Sequence, residues 1–195
     1  MTIRIDFDTD RWVYVPERFP WNGQSSEEWV ATVARLASEA FEYTTVEHTN
    51  LVRVLGMLLQ YPRMAEAVHR FAMLGTADKT FAMVQVTDTP TDPELDDEML
   101  LGLPEPRATR EPDVADVDGA IGRGRRSIRY VAEPALGGDI VVSVNWAWRA
   151  AGRDVVVTFG TTNLVELDSL LPVLDEFAAS ISISESDPEL DAASW

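Results

Sequence analysis

Cysteine is absent from this chain of 195 residues, lysine occurs once, at Lys79, and histidine twice. Without cysteine there is no disulfide, no thiolate nucleophile and no cysteine-built zinc or iron–sulfur site. His48 and His69 fall in separate segments with no partner at metal-ligand spacing, so no metal and no cofactor is expected. No run approaches the roughly 18 uninterrupted apolar residues of a membrane span. The opening "MTIRIDFDTD" lacks the cationic and apolar regions of a signal peptide. A cytoplasmic protein without membrane contact is the expectation.

What is present is negative charge. Sixteen cations face 33 carboxylates, for a formal net charge of −17. That balance opposes binding to nucleic acid and favours a cationic protein partner. An apolar fraction of 46% is enough for a sizeable core.

The order of elements is read from periodicity. Ile3, Ile5 and Phe7 alternate, and "RWVYVP" follows the turn-like "DTD", which predicts a hairpin or two short strands. Ser25 with Glu28, and Thr44 with Glu47, are capping boxes that open two helices, the second over 46–60. Trp29, Val33, Leu36 and Ala40 form the inward stripe of the first. Residues 68–74 and 80–87 predict a further hairpin. The stretch 88–118 is rich in proline and acid and carries no strand pattern, so it is either an excursion packed over the domain or a partly disordered insert. Within it a short helix is expected, capped by Asp92 and ended at Gly102. Strands follow at 122–131, 139–149 and 153–161. A closing helix over 163–179 starts at Thr162 or Asn163 and is kinked or broken at Pro172. The expected class is α+β: one domain over 1–184 with an antiparallel sheet and segregated helices, then a mobile acidic tail at 185–195.

The segment "GDIVVSVNWAWRAAGRDVVVTFGTTNLVELDSLLPVLDEFAASISI" resembles the end of a Mog1/PsbP-like domain, and "GRGRRSIRY" before it is similar to small actinobacterial proteins of that kind. The resemblance covers about residues 119–184. It implies an α/β/α sandwich and an adaptor or accessory role, and no catalytic residue carries over.

Four of the sixteen cations crowd into "GRGRRSIRYV". The string Gly119, Gly122, Gly124 is neither a dinucleotide fingerprint nor a Walker loop, because a strand follows it where both motifs need a helix. On a strand, Arg123, Arg125 and Arg129 share one face with Ser127, while Arg126, Ile128 and Tyr130 take the other. Two readings stand for that arginine row. Either it pairs with the chain's own carboxylates at 92–98 and 185–191, or it holds an anionic ligand or a partner's carboxylate. Trp146 and Trp148 share a face with Ile140, Val142 and Val144, as core residues or as an exposed platform. Trp21, in a loop, is a candidate interface anchor. No G-x-S-x-G elbow occurs, and the Asp-rich "DTPTDPELDD" lacks the glycine of a calcium loop. Three functional readings follow: a non-enzymatic module that docks a protein partner, a small-anion binder or enzyme using the arginine face, and a subunit of a homo-oligomer.

Overall fold

The computed structural model describes residues 2–61, 67–74 and 81–184. The fold is α+β, as the periodicity predicts. Strands β1 (Thr2–Ile5) and β2 (Trp12–Tyr14) precede helices α1 (Ser26–Ala40) and α2 (Thr45–Gln60). Then come β3 (Ala67–Met73), β4 (Ala82–Pro90), the single-turn α3 (Asp97–Leu100) and β5 (Asp113–Gly119). Strands β6 (Gly122–Glu133), β7 (Asp139–Ala150) and β8 (Arg153–Thr161) lead into α4 (Leu167–Ala179) and β9 (Ile181–Ser184). Seven strands form one antiparallel sheet in the order β2-β3-β4-β8-β7-β6-β5.

The opening strands depart from a hairpin. β1 pairs with β9 in a separate two-stranded ribbon, whereas β2 pairs with β3. Ile3 and Ile5 gain burial beside Ile181, and that long-range partner outcompetes the local one. The stretch 88–118 holds the expected short helix, α3, but differs from expectation in also holding the end of β4 and β5 up to its last residue. β5 lies at the sheet edge and is largely exposed, so burial imposes no alternation on "DVADVDG". Asp96, not Asp92, caps α3 through a 2.8 Å bond from the Met99 N–H; Asp92 instead accepts from the Glu94 N–H. Gly102, at φ +73°, ends that turn.

Both capping boxes form. The Ser25 and Thr44 side chains accept from the N–H groups of Glu28 and Glu47, whose carboxylates accept the cap N–H groups at 2.8 and 2.7 Å. Leu36 turns out to solvent, while Trp29, Val30, Val33, Ala34 and Ala37 bury the inner face of α1. α4 begins four residues later than Asn163, because Leu164 and Val165 are exposed and only from Leu167 does the chain have a core to enter. The helix continues through Pro172, which sits on its exposed side. There water can satisfy the carbonyl of Asp168, which loses its helical partner.

Each sheet face has its own core. On one face α4 and the β1–β9 ribbon cover Trp12, Phe71, Val84, Val144, Trp146, Trp148, Val155 and Val157. On the other, α1 and α2 pack on the β2-β3-β4 end, against Val15, Ala72 and Leu74. The tryptophans on β7 are therefore core residues. Trp146 Nε1 donates to Asp175 of α4 at 2.7 Å, and the same carboxylate accepts from Arg126 at 2.5 Å, tying helix to sheet.

The glycine string before β6 serves this packing. Trp148 lies over Gly124 and donates to the Gly122 carbonyl at 3.2 Å. A Cβ at Gly124 would meet Trp148 Nε1 at 2.5 Å and the Ala147 carbonyl at 2.6 Å, one a rigid ring and the other backbone. At Gly160 the nearest heavy atom would be 3.8 Å away. Gly124→Ala should lower stability by about 1–3 kcal/mol through overpacking, and Gly160→Ala should be neutral, with urea unfolding midpoints as the readout. Equal effects at both positions would contradict this packing.

Candidate functional site

The second sheet face carries polar residues in register. Arg70, Gln85, Thr158, Asn145 and Ser127 stand opposite one another across β3, β4, β8, β7 and β6. Arg129 and Ser143 pair beside them. A face of this kind is buried only where its groups find partners, and the segment between β4 and β5 supplies several. Ser127 Oγ donates to the Leu101 carbonyl at 2.8 Å. Arg129 donates to the Gly102 carbonyl at 2.8 Å and to Ser143 Oγ at 2.9 Å. Burial lowers the pKa of Arg129, with the charge of Glu105 opposing that shift. Leu101 is completely buried beneath the segment.

A second clamp lies at the β7–β8 turn. Asp154 is 1% exposed, and each of its oxygens has two donors. Arg149 binds both, at 2.7 and 3.0 Å, while the Thr91 hydroxyl and the Asp92 N–H each bind one at 3.2 Å. The remaining reach of Arg149 goes to the carbonyls of Leu95 and Asp92. Arg153 closes on Asp88 at 2.7 Å.

These contacts answer the question of the arginine row. Arg123 pairs with Asp116 on the adjacent β5, an ion pair that raises the Arg123 pKa. Arg129 binds the Gly102 carbonyl just past the C-terminal end of α3, where acceptors lack helical partners. The expected pairing with carboxylates at 92–98 is thus replaced by carbonyl contacts from Arg129 and Arg149; residues 185–191 lie outside the described residues. The Arg125 guanidinium makes no hydrogen bond or ion pair among the described residues. It lines a cavity of about 260 Å³ with Arg123, Gly124, Arg149, Trp148 and, from the facing elements, Asp97 and Asp116.

Of the six candidate residues, Arg123 and Arg125 come together at this cavity, which Trp148 also borders although it is buried with Trp146 in the core of the other sheet face. Arg129 is buried behind the cavity, and Trp21 is remote. Trp21 flanks the Asn22-Gly23 turn, bridged by its backbone to Gln24, with its ring 5.9 Å from that of Tyr14. Sequence periodicity could not reveal Arg149, Asp97 or Asp116 as neighbours of Arg125, because the first lies on another strand and the others in the segment without pattern.

The edge beside the cavity is open. Among the described residues β5 pairs with β6 alone, so alternate N–H and C=O groups of Asp113–Gly119 face outward. Across the cavity, the 92–98 segment carries Asp92, Glu94, Asp96, Asp97 and Glu98, with Arg149 the cation that reaches it. Among the described residues no helix is long and apolar enough to cross a membrane. No protein-family model matches this chain, and a comparison with curated proteins gives no match either.

The Asp154 clamp makes stability depend on acidity. Burial alone would raise its pKa, but the Arg149 hydrogen bonds, the Asp92 N–H and the Thr91 hydroxyl outweigh burial and hold it below the ordinary value. Protonation therefore favours the unfolded chain. The contribution is complete above the unfolded value of about 3.9 and is lost as pH falls through the lower folded value. Asp154→Asn should cost about 2 kcal/mol at neutral pH and flatten the stability loss below about pH 4. Chemical unfolding across pH measures both, and an unchanged acid slope would contradict the assignment.

Proposed function

We propose that this protein is a non-enzymatic, cytoplasmic interaction module that receives an extended basic segment of a protein partner along the open edge of β5. The observation that carries this reading is the distribution of charge at that edge. Of the nearby arginines all but Arg125 are occupied within the chain: Arg123 by Asp116, Arg129 by the Gly102 carbonyl and Ser143, Arg149 and Arg153 by Asp154 and Asp88. The carboxylates of Glu94, Asp97 and Glu98 close no ion pair among the described residues, and Asp97 shares the cavity with Asp116 of the β5 edge, although Arg149 and Arg125 line it too. A basic strand added at β5 would gain main-chain hydrogen bonds from the edge and specificity from these acids. The resemblance of residues 119–184 to Mog1/PsbP-like domains belongs to the same proposal. It is supported by the closing order of strands, helix and short strand.

A second reading places a small anion in the cavity beside Arg125, whose guanidinium has no partner among the described residues. Asp97 and Asp116 share that cavity and weaken it as an anion site, so the edge reading is preferred.

Capture of partners from native extract at low and high salt tests the edge reading, using the wild type and the Asp97→Asn/Glu98→Gln double variant. The expectation is a stoichiometric basic partner, weakened about tenfold by raising salt from about 0.05 to 0.5 M and weakened likewise by the double variant. Binding that ignores both would overturn it. Pairing of β5 with a second copy of the chain would establish the oligomer reading instead.

A further inference from the structure

Between α2 and the turn at 134–136, no element of the described residues covers the second sheet face. A groove of about 710 Å³ runs there over β4, β8 and β7, within the range of about 300–1,000 Å³ common to small-molecule sites. Met57, Tyr61, Phe81 and Leu136 line it, and all four are exposed large apolar residues, Met57 at 59% and Tyr61 at 56%. Exposed apolar residues scattered singly need no explanation, but a convergent set around one concavity does. They come from the C-terminal end of α2 and the residue after it, the residue before β4, and the 134–136 turn, so no single element's periodicity accounts for them.

The groove has two polar features. In its floor, Thr158 Oγ1 is buried without a hydrogen-bond partner, and Asn145 Oδ1, opposite it in register, is buried and unpartnered as well. Unmet polar atoms next to a cavity mark a place where a bound group or water completes the bonding. At the mouth stands Arg53, exposed on α2. Its neighbours three and four residues away are Thr49, Asn50, Gly56 and Met57, none of them acidic. Its guanidinium touches only the Met57 sulfur, at 3.5 Å, and meets no carboxylate among the described residues. In a chain with twice as many carboxylates as cations, an arginine left without a counter-ion at the rim of an apolar groove is the charge complement of an anionic head on an apolar body.

We propose that this groove binds a free aliphatic monocarboxylate, with the chain lying between α2 and Phe81 and the carboxylate at Arg53. The net negative charge of the protein opposes any anion, but at physiological ionic strength the screening length is about 8 Å. Remote carboxylates are then damped, while a guanidinium in contact with the head group is not. Gly160 makes the site addressable. It lines the floor, its backbone is not in the left-handed region, and a Cβ there meets nothing closer than 3.8 Å, so a large side chain would occupy the groove without disturbing the strand.

Isothermal titration of the full chain with octanoate, decanoate and neutral decanamide, all below micelle concentrations, tests the proposal. Decanoate should bind one to one, about tenfold tighter than octanoate, since two more methylenes are buried. Arg53→Gln should weaken decanoate about fivefold and leave decanamide unchanged. Gly160→Phe should abolish binding of both while the unfolding temperature is retained. Absence of decanoate binding, binding indifferent to Gly160→Phe, or an equal effect of Arg53→Gln on both ligands would overturn it. So would a concentration-dependent dimer that Gly160→Phe dissolves, for that would show a second copy covering the groove.

Discussion

Packing of α4 and the β1–β9 ribbon across one face of the seven-stranded sheet sets the character of everything else. Trp146 and Trp148 lie at the centre of that face, and Asp175 anchors the helix to Trp146 and Arg126. Because side chains alternate along a strand, giving Trp146 and Trp148 to this core sends Asn145, Ala147 and Arg149 to the opposite face. The same parity sends Arg123, Arg125, Ser127 and Arg129 there. One face becomes apolar and closed, and the other polar and only partly covered.

The chain has limited material for that second face. The α1–α2 pair covers the β2-β3-β4 end, and the 91–102 segment covers the β6–β7 end through hydrogen bonds from Ser127, Arg129 and Arg149. Between them the described residues leave the sheet bare. The groove beside α2 is this gap, and the cavity at Arg125 is the margin where the covering segment stops short of β5. Both candidate sites thus arise from incomplete coverage of one polar sheet face, and they differ in chemistry because different elements border them. Apolar side chains of α2 rim the first. Carboxylates of the α3 segment rim the second.

Much of the fold is legible in the sequence wherever local chemistry decides. The capping boxes at Ser25 and Thr44, the Asn22-Gly23 turn and the alternation of β6, β7 and β8 each require only neighbours in the chain. Legibility fails where burial is decided at a distance. β1 finds β9 almost a full chain length away, Leu36 follows the helical stripe yet has nothing to pack against, and β5 shows no alternation because an exposed edge demands none. The arginine row illustrates both outcomes. Parity correctly places Arg123, Arg125, Ser127 and Arg129 on one face, but their partners are an adjacent strand's Asp116 and the carbonyls of Leu101 and Gly102, which no pattern announces. The groove is the least legible feature, since its lining is assembled from α2, three strands and a turn.

Amide hydrogen exchange of the isolated protein, followed at two concentrations, probes whether the β5 edge is free. The outward-facing half of the Asp113–Gly119 amides should exchange rapidly at both concentrations, while those of β7 and β8 are protected up to global unfolding. Protection along the whole of β5 that grows with concentration would mean the edge is already filled by another copy of the chain, and would contradict an edge held open for a partner.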